Sequence, residues 1–89
     1  MSGETVDMLR TRLIEVFAPQ TIALRDDSAL HTGHAGAREG GHYHLDMVSE
    51  RFAGQSTVAR HRLIYQALGD LMRGRVHALS INARAPGEV

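Results

Sequence analysis

The sequence predicts an α+β fold in the order α-β-β-α-α-β, with helices on one face of a three-stranded mixed sheet. Three observations carry this reading. An apolar row of helical period over residues 5–17 ends before Pro19. Two alternating segments, 21–26 and 42–48, flank a long stretch rich in glycine and histidine. A second helical period, opened by Ser56 or Thr57 and running to about Met72, precedes a third alternating segment at 76–83. Elements in that order pack as two layers around one core.

In the first helix, Val6, Leu9, Leu13, Val16 and Phe17 share one face. Ser2 or Thr5 is placed to cap its N-terminus, and Asp7 favours the positive end of its dipole. Ile22 and Leu24 lie on one side of the first strand. In the second, Tyr43, Leu45 and Met47 alternate with His42, His44 and Asp46. These two strands most simply pair as an antiparallel hairpin. Their connection, about fourteen residues, exceeds ordinary hairpin loops and signals function or mobility.

Ser49–Gly54 reads as a single helical turn. In the longer helix, Val58, Ile64, Leu68, Leu71 and Met72 form the apolar face, broadened by Leu63 and Tyr65, and Gly74 is the expected residue just past its end. The short helix, turn and longer helix make a helix-turn-helix-like unit over 49–72. In the last strand His77, Leu79, Ile81 and Ala83 are expected on one side.

Eighty-nine residues set a single domain over 1–89, with 1–4 and 86–89 expected to be flexible. Such a chain buries roughly 60% of its unfolded surface, enough for one modest core. No apolar run reaches the ~20 residues of a membrane span and no signal-peptide pattern is present. The lack of cysteine fits a cytoplasmic location, and the free chain is expected to be a monomer. The sequence lacks cysteine, so metal ligands from this chain must be His, Asp or Glu. It also has no nucleophile motif or phosphate loop, and too little mass for an enclosing pocket, so the chain is not expected to be an enzyme. Asp26 and Asp27 beside the histidines are the sole acid–base candidates.

The formal net charge of zero conceals an asymmetry. Residues 1–50 hold eight acids and four arginines, whereas 51–84 hold six arginines and only Asp70. Arginine forms bidentate contacts with phosphate and carboxylate. Arg51, Arg60, Arg62 and Arg73 are therefore candidates for nucleic acid or an acidic protein partner. Four of the six histidines, His31, His34, His42 and His44, cluster between 31 and 44. His42, His44 and His34 are candidates for adventitious Zn²⁺ or Ni²⁺, while His61 lies on the row with Ile64, Leu68 and Leu71 and reads as a boundary residue.

Asp26-Asp27-Ser28, His31, Gly33-His34-Ala35-Gly36 and His42-Tyr43 resemble the loop signature of the BolA-like proteins. So do Val48-Ser49-x-x-Phe52-x-Gly54, Arg60-His61-Arg62-Leu63-Ile64-Tyr65-x-Ala67-Leu68 and Val76-His77-Ala78-Leu79-Ser80-Ile81. The resemblance covers about residues 8–86. It implies a type II KH-like version of the fold above and a non-enzymatic role in iron–sulfur or iron homeostasis, or in redox-linked or stress-related regulation. The implied partner is a monothiol glutaredoxin sharing a [2Fe-2S] cluster, with glutathione supplied by that partner. The resemblance assigns His31 and His77 as metal ligands, with His34 the alternative in the loop. It also implies transcription-regulator activity through DNA. Phe52-Ala53-Gly54-Gln55-Ser56-Thr57 holds one glycine and so departs from the KH phosphate clamp.

Overall fold

The computed structural model of the chain describes residues 2–27, 41–74 and 76–88. Helix α1 spans Ser2–Phe17, followed by strands β1 (Thr21–Asp26) and β2 (Gly41–Val48). A 3-10 turn over Glu50–Phe52 leads to helix α2 (Thr57–Leu68), a second 3-10 turn (Gly69–Met72) and strand β3 (Val76–Arg84). The predicted α+β order holds, and all three strands fall within a residue of their expected bounds.

The sheet order is β1-β2-β3, with β1 antiparallel and β3 parallel to β2. Leu24 faces Leu45 across the hairpin, and Leu45 faces Ile81 on the other side. The ladder continues past both strand ends, because the Gln20 N–H donates to Val48 O (2.8 Å) and the Asp27 N–H to His42 O (2.7 Å). Tyr43, Leu45 and Met47 point into a core completed by Leu9, Leu13, Phe17, Phe52, Ile64 and Leu68. Phe17 and Phe52 meet with ring centroids 5.1 Å apart. Helix α1 is stitched to α2 by the Arg12 guanidinium, which donates to the Ala67 carbonyl (3.0 Å).

The helix boundaries depart from expectation in two places. Helix α1 begins at Ser2 rather than near residue 5. Helix α2 ends at Leu68 because Gly69, at φ 52°, turns out of the helical path, and the chain proceeds as a 3-10 turn to Met72. Val58 does not join the apolar face. It is 60% exposed and Tyr65 is 42% exposed, so the fully buried row of α2 narrows to Ile64 and Leu68.

Candidate functional site

Three strand ends meet at one end of the sheet. The last residue of β1, Asp26, lies beside Tyr43 near the start of β2, and Gly41 pairs with Val76 at the start of β3. Asp27 and Gly41, the described residues that flank positions 28–40, therefore stand at the end of the sheet that carries His77. His31 and His34 lie outside the described residues.

The register between β2 and β3 shifts here. Gly41 pairs with Val76 but His42 pairs with Ala78, leaving His77 as the extra residue of a bulge in β3. A bulge places two residues against one and re-aims their side chains. His77 accordingly does not share a side with Leu79, Ile81 and Ala83 as strict alternation predicts. Val76 is buried, His77 and Ala78 are exposed, and burial resumes at Leu79. The consequence is a pair of imidazoles, His77 and His42, with ring centroids 5.0 Å apart and planes inclined at 40°. Among the described residues, no group of three or more His, Cys, Asp or Glu side chains converges as a metal-ligand set.

Gly41 opens β2. Tyr43, two residues on and on the core side, folds its ring over Gly41, and a Cβ at Gly41 would overlap that ring. An aromatic covering a strand glycine restores the burial that the glycine forgoes.

Farther along the open face of the sheet, Asp46 accepts from Arg84 (3.1 Å) and from the Asn82 amide (3.3 Å). His44 lies between Arg25 and Ser80 in the strand register. At the margin of the sheet Arg25 forms a bidentate pair with Asp27 (2.6 and 3.2 Å).

The arginine candidates separate into two groups. Arg51, Arg62 and Arg73 are exposed. Arg60 is engaged within the chain: it donates to the carbonyls of Gln55 (3.0 Å) and Ala83 (2.9 Å), and its two terminal nitrogens hold the Glu88 carboxylate at 2.6 and 2.7 Å. These hydrogen bonds, joined by the Ala85 N–H, hold the Glu88 carboxyl down to about 2. His61 is half-buried on α2, as its position on the helical row suggests.

His42 and His44 share the open face of β2 as the alternation predicts; the residue that sequence reasoning placed wrongly is His77, and its ring contact with His42 was missed with it. A signal was present. The apolar positions Val76 and Leu79 are three apart, whereas Leu79, Ile81 and Ala83 are spaced by two, and only an extra residue reconciles both with one buried face.

The comparisons with known proteins agree with this architecture. Residues 13–88 match the family model described as BolA-like protein. The human protein named BolA-like protein 1 is 40% identical over 86 residues, covering 97% of this chain and 61% of the relative. The chain thus spans about six-tenths of the length of the mammalian relatives it matches. The Vibrio cholerae protein named DNA-binding transcriptional regulator BolA is 37% identical over 76 residues, covering 85% of this chain and 70% of the relative. The solved BolA domain of SufE1 from Arabidopsis thaliana superposes with a TM-score of 0.80 at 43% identity, covering 91% of each chain.

Proposed function

Because the chain belongs to the BolA-like protein family, we propose that it is a non-enzymatic adaptor that pairs with a monothiol glutaredoxin and shares a [2Fe-2S] cluster. His77 is one ligand, and the second is an imidazole from the loop, His31 with His34 as the alternative. The observation that carries this reading is the exposure of His77 on a bulge, at the end of the sheet from which positions 28–40 depart.

The donor chemistry fits. Two neutral imidazoles replace two thiolates on one iron in Rieske-type centres. This chain has no cysteine, so the thiolates come from the partner's cysteine and from glutathione, which is a chemical reason for the chain to need a partner. Bound there, the cluster supplies iron and sulfide as cargo or as a redox-sensitive signal. The chain's own part is to present His77 to the partner on a rigid strand. No described helix is long and apolar enough to cross a membrane, and a cytoplasmic site of action belongs to the proposal.

The test is reconstitution of the full chain with a monothiol glutaredoxin, iron, sulfide and glutathione. A heterodimer with cluster absorption and circular dichroism distinct from that of glutaredoxin alone is expected. An unchanged cluster spectrum for the His77→Ala complex would remove His77 from the ligand set.

A second reading has one specific support, the name of the Vibrio cholerae relative. On this reading the 49–72 unit binds DNA through Arg51, Arg62 and Arg73, with Arg60 bracing the scaffold. Phosphate contacts make affinity fall steeply with salt. Duplex binding that ignores both salt and the Arg62→Glu change would eliminate it.

A further inference from the structure

We propose that His42 and His77 together form a two-imidazole site for a single divalent transition-metal ion of the Zn²⁺ class, held by this chain without a partner. The separation of the rings carries the argument. Zn–N bonds are about 2.0–2.1 Å, which puts an imidazole centroid about 3 Å from the ion, so two imidazoles at a tetrahedral angle have centroids about 5 Å apart. The two rings stand at 5.0 Å, inclined at 40° rather than stacked in parallel.

The backbone fixes that separation. His42 and His77 sit on adjacent hydrogen-bonded strands, and the bulge turns His77 off the core face and toward its neighbour. Strict alternation would leave one ring in the core and the other in solvent. The bulge also keeps the pair accessible, with His77 exposed and His42 half-exposed. Among the described residues no third His, Cys, Asp or Glu joins the pair. Imidazole is a preferred donor for Zn²⁺, Co²⁺, Ni²⁺ and Cu²⁺. Two preplaced imidazoles act as a bivalent host, and loss of either reduces binding to a single point.

The site differs from the cluster arrangement proposed above in needing neither thiolate nor partner, and its test uses the full chain alone. Zn²⁺ titration by calorimetry is expected to show one ion per chain. His42→Asn and His77→Asn should each weaken binding about a hundredfold, with His44→Asn leaving it unchanged. In parallel, imidazole ¹⁵N spectra of the parent chain should show Zn²⁺ shifting the His42 and His77 nitrogens together. Those spectra need no variant to fold. The proposal is overturned if His31→Asn or His34→Asn abolishes binding while His42→Asn leaves it intact, or if Zn²⁺ moves the two sets of nitrogens independently. Failure of glutaredoxin pairing leaves it standing, and absence of Zn²⁺ binding leaves the pairing standing.

Discussion

The buried hydroxyl of Ser49 donates a hydrogen bond to the carbonyl oxygen of Phe17 at 2.7 Å, closing the end of α1 onto the end of β2. The Ser49 hydroxyl oxygen itself accepts from the Arg51 N–H (3.2 Å), and the Ser49 N–H donates to the Arg84 carbonyl (2.9 Å). One residue thus joins a helix end, a 3-10 turn and two strand ends. Ser49→Ala strands a buried carbonyl and removes a cap, and is expected to cost about 1–3 kcal/mol. Chemical denaturation measures this, and an unchanged midpoint would show that the Phe17 carbonyl has another donor.

Ala18 ends α1 at φ 42°, its N–H donating to the Ile14 carbonyl at 3.0 Å. The left-handed region is unfavourable for any residue with a Cβ. Glycine occupies such helix ends without that strain but gives up unfolded-state entropy. Ala18→Gly is expected to raise stability by about 0.5–1 kcal/mol. A lower thermal midpoint would contradict it.

Glu88 titrates at about 2 in the folded chain against an ordinary 4.5, chiefly because Arg60 hydrogen-bonds its carboxylate and secondly because the Ala85 N–H does. A carboxyl lowered by folding contributes stability that is complete above its unfolded value and is lost as the pH falls through its folded value. The contribution therefore fades between pH 4.5 and about 2. Glu88→Gln should lower the thermal midpoint near neutrality and narrow its difference from the parent across that window. A difference that stays constant down to the lower limit would disprove the linkage.

Gly41 lies under the Tyr43 ring, where a Cβ has no room. Gly41→Ala must displace that ring and is expected to cost about 1–3 kcal/mol, the usual range for overpacking. The displacement should appear as a change in Tyr43 ring chemical shifts. Tyr43 shifts identical to the parent's would show that the ring accommodates the methyl group.

His77 is exposed at the bulge of β3. His77→Ala should therefore change global stability by no more than about 0.5 kcal/mol while abolishing metal-dependent behaviour. A larger loss would make the residue structural.

Strand positions were legible because Tyr43, Leu45 and Met47 alternate cleanly with polar neighbours and one face is buried. The buried row of α1 was legible from Leu9, Leu13 and Phe17. The end of α2 was not. Gly69 and Gly74 both offer a stop, and which one acts depends on Leu71 still reaching the core from a 3-10 turn. The inward role of Arg60 was hidden as well, because its partners Ala83 and Glu88 lie 23 and 28 positions away and no local rule connects them. The His42–His77 contact was half legible. The odd spacing from Val76 to Leu79 marks the bulge, but the strand partner that receives it depends on β3 adding parallel to β2 rather than beside β1.

That parallel pairing has a consequence for the order of events. An antiparallel hairpin can zip from its own turn, whereas two parallel strands meet only after the intervening crossover has formed. Loop-closure entropy makes such non-local pairing slow. The two imidazoles come from opposite sides of that crossover, so they converge only when the last strand has docked. A partly folded chain carries the same histidines scattered and presents no paired donors. The His42–His77 pair is therefore a mark of finished molecules, formed only when the whole sheet is in place.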